Sequence, residues 1–234
     1  ILSIAYFVIL SFIALIASIK FNIGTFELHI ADQGIFNFPY IWHFNTYIAA
    51  ILKFFLAIVI VSMMANEYSY GTLKQNLIDG LSKKEFIQSK FLTVVVFAFA
   101  STLFVFIMSL ILGLSFSSYN EIDIIFSDLE YIVAYFVKLV AFFSFCLFLG
   151  ILVKRSAFAI GFLFIWNIIE GIIIGILKWK IFPNSNTSQN ITQFLPLEAM
   201  ANLIKEPFTR LSVIKNIETT IGGEVAAKDY GVHL

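Results

Sequence analysis

The sequence predicts an all-α integral membrane protein, a polytopic helical bundle with five spans, on three observations. Only 13% of the 234 residues are charged and 60% are hydrophobic, whereas a soluble domain carries roughly 25% charged residues. The mean hydropathy is +0.93. The apolar residues also fall in continuous runs of the length a spanning helix needs, about 20 residues, rather than in the short alternating segments of a β-barrel. The same composition closes off several functions. Lys plus Arg balance Asp plus Glu at 15 each, which argues against a nucleic-acid partner. A lone cysteine, Cys146, permits no intrachain disulfide. His29, His43 and His233 are scattered, without metal-ligand spacing.

The chain reads as one transmembrane domain, 1–234. Its spans are placed at about 1–19, 41–65, 91–115, 131–153 and 157–177. The first run, which begins at Ile1 without a Met, has no basic flank and no small-residue cleavage site, so it is not a signal peptide. Both ends read as cut inside longer segments. The 66–90 loop holds four lysines (Lys74, Lys83, Lys84, Lys90), and the link between the last two spans is Lys154-Arg155-Ser156. The 116–130 loop has no Lys or Arg but carries Glu121, Asp123, Asp128 and Glu130, and 20–40 has only Lys20. By the positive-inside rule, 66–90 and 154–156 face the cytoplasm, as does the start of the chain. The tail, 178–234, is extracytoplasmic. It holds a loop at 183–188, two glycosylation-like sequons (Asn186-Thr187-Ser188 and Asn190-Ile191-Thr192), and a short amphipathic helix starting near Pro196. That helix is too short to cross and is expected at the outer interface.

The polar island at 66–90 carries most of the functional information. Glu67 stands at the cytoplasmic mouth of the second span. Gly71 allows a turn, and Thr72 is placed to cap a two-turn helix over 72–79. Leu73, Leu77 and Ile78 line one side of that helix, while Lys74, Gln75 and Asp79 are polar. Gly80 ends it, and Ser82-Lys83-Lys84-Glu85 fits a capping box that starts the next span. A short helix with its own start and stop signals and two unlike faces is a docking element. As a mere solvated loop, the segment's lysines would only set topology.

Three charges fall within spans: Lys53, Lys138 and Glu170. Intramembrane charge is costly and marks function or pairing. Lys138 and Glu170 lie at similar depth from the outer side, so they are expected to pair. Lys53 lies nearer mid-membrane, where snorkelling is harder, and is expected to face a cavity. An intramembrane enzyme would need clustered catalytic groups, yet Glu170 is the one acid in a span and His43 the one span-edge histidine. Gly171-Ile-Ile-Ile-Gly175 has the small-xxx-small spacing of a close helix contact.

Glu67-Tyr-Ser-Tyr-Gly71-Thr72, then Gly80-Leu-Ser82-Lys83, then Lys90, resembles the signature of ABC-2-type ABC transporter permeases, of the kind common in Bacteroidota-like bacteria. The approach Tyr40-Ile-Trp42, the Lys154-Arg155-Ser156 link and the Phe194-Leu-Pro196-Leu stretch extend the resemblance along the chain. Lys83 stands where arginine is common in that family. The resemblance implies six spans, with a leading interfacial helix and the sixth span missing here. It also implies a coupling helix between spans two and three that docks into a separate ATP-binding cassette ATPase. The coupling residues it assigns are Glu67, Gly71, Thr72, Leu73, Leu77, Ile78, Ser82 and Lys83. The implied protein is an exporter permease subunit in the bacterial cytoplasmic membrane, working as a dimer with a second permease copy or homologue. No Walker A pattern occurs in the chain, so ATP and Mg would be bound by the partner, and no cofactor, metal or catalytic residue is assigned here. An ATP-independent secondary transporter and a membrane sensor or structural protein are the alternatives that composition leaves open.

Overall fold

The computed structural model describes residues 8–11, 20–23, 26–29, 35–119, 121–182 and 186–208. Residues 8–11 are helical; the rest of the expected first span and the tail beyond 208 lie outside the described residues. A hairpin follows, β1 (Lys20–Ile23) and β2 (Phe26–His29), antiparallel with Lys20 opposite His29 and Ile23 opposite Phe26. It lies where the apolar pattern predicts a loop, 20–40. Helices come next: α1 (Tyr40–Ser69), α2 (Thr72–Ile78), α3 (Lys83–Phe116), α4 (Ile122–Ile125), α5 (Glu130–Val153) and α6 (Ser156–Ile176). A π-helical turn, Leu177–Ile181, prolongs α6, and α7 (Asn186–Thr192) and α8 (Pro196–Asn202) close the described chain.

Among the described residues, four helical stretches are long and apolar enough to cross a membrane: Tyr40–Ser69, Lys83–Phe116, Ile122–Val153 and Ser156–Ile181. They contain the second to fifth expected spans. The central helix is α5, which touches α1, α3, α6 and α8. Its face toward α1 is fully buried at Ala134, Tyr135, Leu139, Phe142 and Cys146. By contrast α6 buries only Ala159, Leu163 and Glu170. Its remaining apolar surface is what lipid-facing helices present, because lipid tails are as apolar as its Ile and Phe side chains.

Polar contacts fix the helices where apolar packing alone is non-directional. The Asn45 Nδ2 amide donates to Ser109 Oγ at 2.9 Å, joining α1 to α3. At the acidic end of the bundle, Trp42 Nε1 donates to the Ile125 carbonyl at 2.8 Å while its ring stacks on Phe106. At the other end, the Tyr68 hydroxyl reaches the Ile151 carbonyl at 3.5 Å and its ring lies 5.8 Å from Lys154 Nζ. The two basic segments, 66–90 and 154–156, therefore share one end of the bundle, as the charge pattern requires.

Candidate functional site

The first candidate is the basic-end element between α1 and α3. Its entrance is a clasp. Glu67 forms an ion pair with Lys90 and accepts a hydrogen bond from the Thr72 hydroxyl at 2.5 Å. One carboxylate thus ties the end of α1 to the start of α2 and to the first turns of α3. Thr72 is not the cap that the sequence suggested. The N-cap is Gly71, at φ +72° in the left-handed region, where a side chain costs about 1 kcal/mol or more. The Thr72 hydroxyl is left to hold Glu67. The helix ends at Ile78, one residue earlier than expected, in a full Schellman motif: Leu81 N–H donates to Asn76 O and Gly80 N–H to Leu77 O, with Gly80 at φ +100°. The capping box then forms as read, with Ser82 accepting from the Glu85 amide and Glu85 accepting from the Ser82 amide.

The faces of α2 differ from the expectation in one respect. Leu73 packs against the hydrophobic core and Leu77 is half-buried, but Ile78 turns away from the bundle at 83% exposure. Tyr70, Lys74, Lys83 and Lys84 are exposed as well. The element thus presents two large apolar side chains, Tyr70 at its start and Ile78 at its end, within a stretch that also exposes three lysines.

The second candidate is the set of intramembrane charges. Lys138 and Glu170, at 4% and 3% exposure, do not pair. Each grips a different end of α8. Glu170 accepts from Trp166 Nε1 at 2.5 Å, from the Leu197 amide at 3.0 Å and from the Glu198 amide at 3.1 Å. Lys138 Nζ donates to the Ala201 carbonyl at 3.3 Å. The gripped residues, 197–198 and 201, are three to four positions apart, about 5–6 Å along the helix. The signs match the helix dipole, with the anion at the amino end and the cation at the carboxyl end. Glu170 lies six residues from the end of α6 and Lys138 eight from the start of α5, roughly 9 and 12 Å. The short helix is therefore held against α5 and α6 below their ends, with Leu197 buried and Ala199, Ala201 and Asn202 exposed. Irregular backbone at such depth is tolerated where protein surrounds it or a cavity borders it. The chain then climbs past α1, with His43 Nε2 2.8 Å from the Lys205 carbonyl and Phe208 edge-on to Phe44 and Tyr47.

Beside this segment lies an open cavity of about 780 Å³, bordered by α1, α5, α6 and residues 189–206. Lys53 faces it, as its mid-span position predicts. The ammonium sits 4.3 Å from the Phe142 ring centroid, and among the described residues no carboxylate lies within ion-pair distance of it. Trp166 was missed by sequence reasoning, although its place one turn before Glu170 was a usable signal. Nothing in the sequence announced the Glu170 contact with the α8 amides.

This fold and charge distribution define a polytopic helical membrane protein with a structured basic element at one end. The chain belongs to the family described as "Protein of unknown function (DUF2705)", whose model matches residues 4–203. A stretch of 62 residues is 39% identical to the "Uncharacterized protein YhcI" of Bacillus subtilis (strain 168), covering 26% of this chain and 20% of that relative. No solved structure matches the chain.

Proposed function

We propose that this chain is the permease subunit of an ATP-binding cassette exporter, multi-pass in a bacterial cytoplasmic membrane, with 66–90 on the cytoplasmic side. The observation that carries the reading is α2 itself. It is a separately capped helix, clasped to both neighbouring helices through Glu67, and it exposes Ile78 where nothing in the chain needs an apolar residue. Exposed apolar side chains with a polar surround are the usual composition of a docking site. The residue order from Glu67 to Lys90 resembles the ABC-2-type signature and names the partner, a separate ATPase subunit that binds ATP and Mg.

In this account the chain performs no chemistry. A rigid clasp is what a coupling element needs: movement of α2 by the partner passes through Glu67 to the ends of α1 and α3 together, and so tilts the spans against each other. A second permease copy or homologue completes the path. Co-purification with the cognate ATPase tests the proposal, comparing ATP turnover with wild type, Glu67→Ala and Gly71→Pro. Both variants are expected to lose stimulation. Stimulation unchanged in both would overturn the coupling role.

A further inference from the structure

We infer that the cavity beside α8 binds an amphiphile with an anionic headgroup, its charge on Lys53 and Lys138 and its chain along the aromatic wall. The inference goes beyond the coupling role of 66–90 and does not rest on it, since it concerns equilibrium binding at the opposite half of the bundle.

The volume of about 780 Å³ lies within the range of small-molecule sites, roughly 300–1,000 Å³. Two chemistries meet on its surface. Ile51, Phe54, Phe142 and Leu197 supply apolar wall, and four lysines against two glutamates supply an excess of positive charge. The adjacent Lys205 and Glu206 are not needed for that excess, because Lys53, Lys138 and Lys178 still face Glu198 alone. Glu170 does not offset it: its carboxylate is turned into the α8 backbone, away from the cavity.

Lys53 and Lys138 are the decisive pair. A lysine inside a membrane normally finds a counter-charge or reaches the interface. Lys53 is 8% exposed, and its ammonium rests over Phe142, so the face turned to the cavity keeps its donors. Lys138 places one hydrogen bond on Ala201, which leaves two of its three N–H groups. Two ammonium groups on one cavity fit a phosphate or carboxylate, and the apolar wall beside them fits a hydrocarbon chain. A cationic or purely apolar ligand would leave both lysines uncompensated.

Native mass spectrometry of the full-length protein in a non-ionic detergent tests this, with equimolar dioctanoyl phosphatidylglycerol and dioctanoyl phosphatidylcholine in competition and inorganic phosphate in a separate arm. Wild type is expected to retain phosphatidylglycerol at least tenfold over phosphatidylcholine. Lys53→Met should reduce that preference to twofold or less, and Lys53→Arg should keep it. Ile51→Trp, which narrows the cavity without altering charge, should lower retention of phosphatidylglycerol fivefold or more, and keeps the test open if Lys53→Met fails to fold. Equal retention of the two lipids by wild type, an unchanged preference in Lys53→Met, or competition by millimolar phosphate as effective as by the lipid would overturn the assignment. Unchanged ATPase stimulation in the 66–90 variants with lipid preference intact would count against the proposed function and leave this site standing.

Discussion

Replacing Glu170 with glutamine keeps shape and volume but removes one acceptor and one charge at the amino end of α8. In the native protein two oxygens serve three donors: Trp166 Nε1 and the amides of Leu197 and Glu198. In the variant one oxygen becomes an NH2 group that can only donate, so at least one of these buried donors is left facing another donor. A buried group without its partner costs about 1–3 kcal/mol. Loss of a charge beside a helix terminus adds about 0.3–1 kcal/mol. The grip on α8 should therefore weaken by about 1.3–4 kcal/mol. At 1.4 kcal/mol per tenfold, the Leu197 and Glu198 amides should exchange with deuterium roughly 10- to 700-fold faster, measured by hydrogen exchange of the detergent-solubilised protein. The effect should be local, with α1 and α5 amides unchanged. Lys138→Met removes a single longer bond at the other end and should cost about 1 kcal/mol. Glutamine can still turn its one oxygen to both amides and leave Trp166 unpaired, so Glu170→Ala is the companion variant: exchange at 197 and 198 that is unchanged in both variants, or a protein-wide rise in its place, would refute the view that Glu170 holds α8.

Other consequences can be checked in the same preparation. A methyl added at Gly113 would overlap Cζ of Phe38, so Gly113→Ala should displace that ring and lower stability by about 1–3 kcal/mol in thermal unfolding. A double-mutant cycle of Asn45→Ala and Ser109→Ala should return a coupling of about 0.6 kcal/mol, the average for hydrogen bonds between membrane helices; a value near zero would mean the contact is not maintained. Gly71→Ala meets no neighbour within 4 Å, so its cost should be the backbone strain alone, about 1–2 kcal/mol. It should appear as faster exchange in α2 and not in the spans.

The helices were legible where hydrophobic length or a local cap decides the outcome. Spans two to five are set by apolar runs, and the start of α3 by Ser82 and Glu85, whose mutual bonds need no tertiary context. Gly80 marked a helix end for the same reason. The largest error arises where side chains choose between partners distant in sequence. Lys138 and Glu170 were matched by depth and opposite charge, but a carboxylate that reaches three convergent N–H groups is satisfied better than by one flexible ammonium. The donors come from residues 197 and 198, which no local pattern linked to 170. Thr72 was read as a cap from residue type; the left-handed Gly71 took that role and freed the hydroxyl for Glu67. Ile78 was placed with Leu73 and Leu77 on one apolar side, yet it stands at the last position of a two-turn helix, where a small rotation carries it off the buried stripe.

Ile78 also provides the most direct test of the coupling account. It is 83% exposed and lies outside the hydrophobic core, so Ile78→Asp should leave folding, helicity and thermal stability as in wild type, since exposed substitutions away from special features usually stay within about 0.5 kcal/mol. A charge placed in a docking surface, in contrast, should cost about 2 kcal/mol or more of binding, as hot-spot residues do. The measurement is the affinity of the purified protein for the cognate ATPase subunit. The account predicts a loss of about 25-fold or more in Ile78→Asp, with stimulation of ATP turnover lost in parallel. Wild-type affinity and full stimulation in that variant would contradict it.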